Sequence, residues 1–498
     1  MTAPRVPSAE LRAPRRPAPA AASILLAALL ALAAAAIGGA SQARAATLPA
    51  AEVRDKIQGG WVGGVVGAAW GYPVEFRFNG RIVPRRRVPR FSMRYTNDFT
   101  FHQRRGGPDD SYAEIPFLRA LEADVHAGWP EWGANFRRTR FKLFAENNRA
   151  RMNLRRGIAA PGSGDYTHNP FAYNIGWQVE SDFAGLVAPA QPGAAVDISW
   201  RAGHVVGYGD GVYGGVMVAA MHAEAFRADS LDEVIEAGRN AVPAGTAYRR
   251  MIEDVLRWHE RFPGNWKRTW RRLERRWNAH RLSAKRDPRH VRREFNIDSK
   301  LNGGYVLLGL LYGRGDFART IRIAMRAGQD ADSNPSTAAN ILGSWLGHDR
   351  IPRRFTRGLA YRRPFEGTGY TLRRAIDATV AVAREVTLVG GGSVSAGSWE
   401  TPASPLVTPI GEQWPLKRTA RPRIIATAAV SGLDVDFAAA AEDPDGIRDI
   451  RWSFGDLSSS AEAAPEHTYR APGTYRATVW AVDGRGRTGF RVLTVTVG

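Results

Sequence analysis

The spacing of apolar and polar positions changes once along this 498-residue chain. From about residue 48 to 386 the apolar residues recur at helical spacing. The stretch PAAEVRDKIQGGWVGGVVGAAWG places Val53, Ile57, Trp61 and Val65 on one helical face. Two later stretches, Gly211 to Phe226 and Gly303 to Gly313, are apolar and rich in small residues, as suits buried helices packed closely on neighbours. No run of short alternating strands interrupts this region, which predicts an all-helical globular domain. After about Arg421 the period falls to two. LDVDFAAAA, IRDIRWSFGD, GTYRATVWAVD and GFRVLTVTV alternate apolar and polar residues with turns between them, which predicts a small β-sandwich. The stretch that joins the two textures, from about residue 387, is rich in Gly, Ser, Pro and Thr and reads as a linker or irregular extension.

The first residues follow neither pattern. RAPRRPAPAAAS is positively charged, Ile24 to Ala40 is apolar, and Ala43-Arg44-Ala45 is a small-x-small cleavage site. Together they read as a secretory signal peptide. The apolar stretch is marginal for the ~20 residues a membrane span needs, which leaves an uncleaved anchor as the alternative. Arg15-Arg16 raises the twin-arginine export route, although Pro17 follows. No later segment is apolar enough to cross a bilayer. The expected plan is a signal peptide (1–45), a helical catalytic domain (46–386), a linker (387–421) and a β-sandwich (422–498). The expected location is secreted or at the cell surface.

Composition narrows the chemistry. The chain contains no cysteine, which excludes disulfides, thiolate zinc sites and a cysteine nucleophile. Any metal must be held by oxygen or imidazole. The formal charge of +21 comes mostly from arginine, spread over the whole chain. No nucleic-acid motif accompanies it, so no specific nucleic-acid partner is expected. Residues 137–156 and 266–294 are dense in arginine with Trp and Phe interleaved. They fit either a polyanion-binding surface or solvated helix faces with snorkelling arginines.

Two acidic clusters carry the candidate chemistry. In GGPDDSYAEIPFLRAL, Asp109 and Asp110 stand where a Gly-Pro turn gives way to a helix. One aspartate suffices for a helix cap, and two adjacent ones repel unless a cation or donors compensate. In AMRAGQDADSNPSTAANILGSWLG, Asp330, Asp332 and Ser333 precede another helix, with Pro335 expected at its first position. Ala338, Ile341, Leu342 and Trp345 give that helix its core face. Four carboxylates and a hydroxyl form an oxygen-only set suited to hard divalent cations. Brought together by the fold, they would hold two Mg²⁺ or Mn²⁺ ions.

Four segments in order carry a resemblance: KIQGGWVGGVVGAAWGYPVEF, GPDDSYAEIPFLRAL, the stretch from Gly185 to Phe226, and AMRAGQDADSNPSTAANILGSWLG. Over about 50–360 the chain resembles the ADP-ribosylglycohydrolase family. The resemblance implies an all-helical fold with two Mg²⁺ or Mn²⁺ ions in a cleft, and hydrolysis of a glycosidic bond to ADP-ribose. By position it implies Asp109, Asp110, Asp330, Asp332 and Ser333 as metal ligands. It implies Glu75 as a ligand or water-activating base, with Asp110 also among the catalytic groups. Gly209, Asp210, Gly211 and Tyr213 fall in a loop that would line the ADP-ribose cleft. Arg137, Arg138 or the 151–156 cluster could meet the pyrophosphate. The chain departs from the family at Pro108, which replaces a threonine ligand, and at Gly67-Ala68-Ala69, which replaces Gly-Asp-Ala in the first loop.

The C-terminal stretch resembles a polycystic-kidney-disease (PKD) repeat over about 422–498. The resemblance rests on Trp452, Phe454-Gly455-Asp456, His467-Thr468-Tyr469, Pro472-Gly473-Thr474-Tyr475 and Asp483. Leu457 stands where the repeat usually has glycine. Such modules are extracellular spacers or adhesion domains, which makes Asp456 and His467 structural residues and implies cell-surface or matrix contact. The expectation is therefore a secreted, metal-dependent hydrolase acting on an ADP-ribosylated or ribosylated substrate. The alternative is a non-catalytic ADP-ribose or ligand binder on a degenerate hydrolase scaffold with an adhesion module.

Overall fold

A computed structural model describes residues 44–101, 109–278, 297–414 and 420–498. The segment read as a signal peptide falls almost wholly outside these residues, as does Pro108. The chain enters on a short strand, β1 (Ala46–Pro49), and then forms α1 (Ala50–Gly71). Next come α2 (Met93–Phe101), α3 (Ile115–Ala123), α4 (Trp129–Arg138) and α5 (Ala145–Arg155). Two single-turn helices, α6 (Gly176–Glu180) and α7 (Asp182–Leu186), lead to α8 (Pro192–Gly203), α9 (Asp210–Ala225) and α10 (Leu231–Ala241). The helical body is completed by α11 (Ala247–Arg261), α12 (Trp266–Trp277), α13 (Ser299–Gly313), α14 (Phe317–Arg326), α15 (Ser333–Leu346) and α16 (Leu372–Val389). The fold is mainly α with a small C-terminal β-sandwich.

The centre of the helical body is built by small residues. Val53, Ile57, Trp61 and Val65 of α1 are all buried, and so are α9 and α13 almost throughout. A second face of α1 carries Gly59, Gly63, Gly67 and Gly71, one per turn. A Cβ at Gly63 would lie 2.6 Å from the Ala339 carbonyl carbon, and one at Gly67 2.6 Å from that of Pro335. At Gly71 it would lie 2.7 Å from the Ala331 carbonyl carbon. Backbone therefore packs on backbone along the α1–α15 seam, closer than any side chain allows. Gly67, Ala68 and Ala69 are residues of α1 itself, not of a loop after it as the sequence suggested.

Residues beyond α16 stay against the helical body. The short strands β2 (Ser393–Val394) and β3 (Ser398–Thr401) form a sheet with β1, in the order β1-β3-β2. Residues 402–414 carry no regular element, yet Ile410 and Glu412 are buried. The sandwich follows as β4 (Arg423–Ser431), β5 (Asp434–Glu442), β6 (Ile447–Ser453), β7 (Ser459–Ser460), β8 (Glu466–Thr468), β9 (Gly473–Asp483) and β10 (Thr488–Val497). Its two sheets run β10-β9-β6-β7 and β4-β5-β8 around Phe437, Trp452, Phe454 and Tyr469. Asp456 accepts from His467 at 2.8 Å inside this module. Leu457 adopts φ 71°, the left-handed conformation glycine would take freely, and its side chain is buried. Trp129 of α4 packs edge-on against Trp480 and Phe490 at 5.9 and 5.1 Å, which seats the sandwich on the helices.

Candidate active site

The two acidic clusters meet, although one is built differently from the sequence expectation. Asp109–Ser111 form a 3₁₀ turn, closed by Tyr112 N and Ala113 N donating to the Asp109 carbonyl. Helix α3 begins only at Ile115, behind Glu114, so Asp109 and Asp110 cap no helix. Asp332 does cap one: its carboxylate accepts from Ser333 N at 3.0 Å at the start of α15. Pro335 is the third residue of that helix rather than the first. The position remains benign because first-turn amides have no intrahelical acceptor.

Ser333 Oγ donates to Asp110 Oδ1 at 2.9 Å, joining segments 223 positions apart. Glu75, Asp330 and Asp332 each present a carboxylate oxygen within 4.8 Å of the others. The α1–α15 seam sets this geometry. Gly71 abuts Ala331 at the end of α1, and the chain then turns through Tyr72–Val74 to deliver Glu75. Phe76, at φ 50°, is pinned by donating to the Gln329 carbonyl at 2.9 Å.

These side chains line one cavity of about 450 Å³. Glu75, Asp109, Asp110, Asp330, Asp332 and Ser333 form its acidic part, and Tyr72, Phe76, Phe144, Ile175, Val179 and Ile297 its apolar wall. Burial pushes the Glu75 carboxyl up to about 8, with the charges of Asp330 and Asp109 adding to it. Burial and the Asp330 and Glu146 charges raise Asp109 to about 7. Asp110 and Asp332 are held well above the ordinary carboxylate range, again by burial and then by neighbouring carboxylates. Asp110 Oδ2 and Asp330 Oδ1 are buried without a hydrogen-bond partner. Buried carboxylate oxygens left unpaired and mutually repelling are the donor set a hard cation completes.

Two charged residues of the cavity were not anticipated. Glu146, in the first turn of α5, lines the same cavity and accepts from Asn174 Nδ2 at 3.1 Å and from Gly176 N. Burial raises its carboxyl to about 7. Lys142 is the cation of the lining, with Nζ 4.7 Å from the Phe144 ring centroid. The only hint of either lay in the arginine-rich 137–156 stretch, where Glu146 is the one acid. The arginines of that stretch do not line the cavity. Arg151 is buried and donates to the Phe141 carbonyl at 2.7 Å, and exposed Arg155 donates to the Thr139 carbonyl at 2.8 Å.

The loop expected to line the ADP-ribose cleft sits outside the acidic cavity. Gly209, Asp210, Gly211 and Tyr213 line none of this cavity. Gly209 (φ 57°) precedes α9, and its N–H donates to Glu412 at 2.9 Å. Asp210 accepts from Lys300 Nζ at 2.8 Å, and Lys300 also pairs with Asp298 at 2.9 Å. Gly211 packs against the Ala172 backbone. Tyr213 is buried and donates to the Ile410 carbonyl at 2.8 Å. Glu412 also accepts from Thr488 at 2.8 Å, so this loop is tied to the β-sandwich.

The helical body and its acidic cavity define a mainly α protein with a carboxylate-lined pocket. The ADP-ribosylglycohydrolase family model matches residues 49–387, and the chain belongs to that family. A PKD domain model matches residues 419–497. A solved structure described as an ADP-ribosylglycohydrolase-related protein complex is 18% identical over 67% of this chain and 99% of that one, with a TM-score of 0.44. The PKD1 domain of Vibrio anguillarum Epp is 27% identical over 16% of this chain and 96% of its own, with a TM-score of 0.16. The PKD1 domain of the Vibrio cholerae metalloprotease PrtV is 32% identical over 16% of this chain and 98% of its own, with a TM-score of 0.15. No curated protein matches the chain.

Proposed function

We propose that the protein is an exported, metal-dependent hydrolase that cleaves a glycosidic bond to ADP-ribose or a related ribosyl group. The observation that carries this reading is the convergence of Glu75, Asp109, Asp110, Asp330, Asp332 and Ser333 on one cavity, with two buried carboxylate oxygens unpaired. Asp109, Asp110, Asp330, Asp332 and Ser333 would hold two Mg²⁺ or Mn²⁺ ions, with water in place of the hydroxyl lost at Pro108. Such ions supply positive charge against the oxygens of the reacting ribose and acidify bound water. Ionised by the positive charge the cations would bring beside it, Glu75 would take a proton from the attacking water as its oxygen bonds to the anomeric carbon and the leaving group departs with the bonding pair. The half-exposed apolar wall of Phe76, Phe144 and Ile297 would face the flat part of the substrate.

Export rests on the N-terminal charge and apolar pattern of residues 1–45 and on the PKD module, which would make cell-surface or matrix contact. No helix among the described residues is long and apolar enough to cross a membrane. The corresponding plan is a signal peptide to residue 45, a catalytic domain over 46–386, a connecting segment over 387–421 and the sandwich over 422–498. The test is a hydrolysis screen with Mg²⁺ or Mn²⁺ over ADP-ribosylated peptides, ADP-ribosylated nucleic acid and simple nucleosides. Turnover that needs the cation and vanishes in Asp110→Ala/Asp332→Ala supports the reading. Turnover unchanged by chelator or by that double variant refutes metal dependence. ADP-ribose binding with no turnover on any substrate favours the non-catalytic alternative.

A further inference from the structure

Helix α12 presents a row of cations that outnumber the acids around them among the described residues. At 3.6 residues per turn, Lys267, Arg271, Arg275, Arg268 and Arg272 succeed one another around roughly half the helix circumference. Thr269, Trp270 and Leu273 occupy the opposite, buried face. Arg276 continues the row but pairs with Asp254 at 2.9 Å. The one acid of the helix, Glu274, borders the row beside Lys267, and its carboxylate accepts from Tyr305 and from Asn278 Nδ2. Among the described residues, no carboxylate lies within ion-pair distance of the other five cations.

Two further basic segments join this row at Arg326. The Arg326 guanidinium lies 5.3 Å from the Trp266 ring centroid, and Trp270 Nε1 donates to the Ala327 carbonyl at 2.8 Å. Arg326 Nε also donates to the Val83 carbonyl at 2.9 Å, which draws in the exposed turn Arg85–Arg87. Arg319 and Arg322 are exposed on α14 itself.

We infer that this face is a sequence-independent docking surface for the phosphate backbone of nucleic acid. The charge density matches. Helix α12 has 12 residues, about 18 Å at 1.5 Å per residue. One DNA strand carries a phosphate every ~3.4 Å of axis, hence about five over that length, the number of unpaired cations on the helix. Arginine presents a planar fork that grips phosphate oxygens two at a time. A lipid surface fits less well: among the described residues the exposed large apolar side chains are Phe144, Ile425, Val430, Phe490 and Val492, none of them on these segments, so the described face offers no apolar anchor. The inference concerns binding only and does not depend on the chemistry of the acidic cavity.

The test is fluorescence anisotropy of a labelled duplex of arbitrary sequence, titrated with the purified full chain from 50 to 200 mM salt. Five phosphate contacts predict a log–log slope near −4.5, about a 500-fold loss of affinity across that range. Two unrelated sequences should bind alike. Arg271→Glu/Arg275→Glu should weaken binding at least tenfold and flatten the slope by about two. Arg137→Glu/Arg138→Glu, on an exposed face remote in sequence, should change it less than threefold. Thermal melting of both variants checks that they fold. No binding at 50 mM salt, equal loss in both variants, or tenfold preference for heparin or phosphatidylserine vesicles over the duplex would each overturn the inference.

Discussion

Substituting Gly63→Ala tests whether the α1–α15 seam positions the site. The new methyl would lie 2.6 Å from the Ala339 carbonyl carbon and 3.0 Å from Asn340 N, against an ordinary contact of 3.4–4 Å. The overlap is with backbone, so no side chain can rotate out of the way and the helices must separate by close to 1 Å. Overpacking of this kind costs about 3 kcal/mol, at the upper end of its range. Alanine returns about 1 kcal/mol of helix propensity. The net loss is about 2 kcal/mol. In a domain of 339 matched residues, unfolding entropy near 2.1 cal/mol/K per residue turns this into a melting-temperature fall of about 3 °C. The same separation moves Asp332 and Ser333, at the start of α15, away from Glu75, at the exit of α1. Displaced supports of metal ligands weaken affinity by about 10–100-fold, which calorimetric titration with Mn²⁺ would read. Gly264→Ala is the control, because nothing lies within 4 Å of a Cβ there. A Gly63→Ala protein that melts and binds Mn²⁺ like the wild type would refute the seam as the positioning element.

Three other outcomes follow from the same geometry. In chelator, folding stability should fall as pH rises from about 5 to 8: Glu75 titrates at about 8 in the folded chain, above its unfolded value, so the folded state binds the extra proton and loses that advantage as pH climbs. Glu75→Gln should flatten this fall, and denaturant titrations at pH 5 and 8 that match the wild type would count against it. Mn²⁺ at a hundredfold excess over its Kd should stabilise the protein by about 2.7 kcal/mol, and a thermal-shift assay should find no such gain in Asp110→Ala/Asp332→Ala. Lys300→Met should destabilise by about 3 kcal/mol, since it removes the buried cation shared by half-buried Asp210 and buried Asp298; a change under 1 kcal/mol in urea unfolding would show that Lys300 does not hold the two carboxylates.

What the sequence disclosed depended on whether the signal was local. The α body and the β-sandwich were legible because a period of 3.6 or 2 repeats within a dozen residues, and the PKD hallmarks are short runs. Asp109-Asp110 and Asp330-x-Asp332-Ser333 were legible as cavity residues because each cluster is contiguous, although only folding joins Ser333 to Asp110. The helix-cap reading of Asp109 failed on a local competition: Tyr112 and Ala113 both bond the Asp109 carbonyl, closing a 3₁₀ turn before α3 can start. Glu146 stands alone among arginines, and nothing nearby marks its approach to Asn174 and Gly176, some thirty residues on. The same limit explains the loop 209–213. Its glycines suggest a ligand cradle, but Asp210 is committed to Lys300, ninety positions away, and Gly209 and Tyr213 to the segment before the sandwich. The first helix carried its most specific information in glycines. Hydrophobic periodicity explains why Val53, Ile57, Trp61 and Val65 are buried, yet the face that delivers Glu75 to the acidic cluster is the one with no side chains, because only hydrogen lets the α1 backbone reach that of α15.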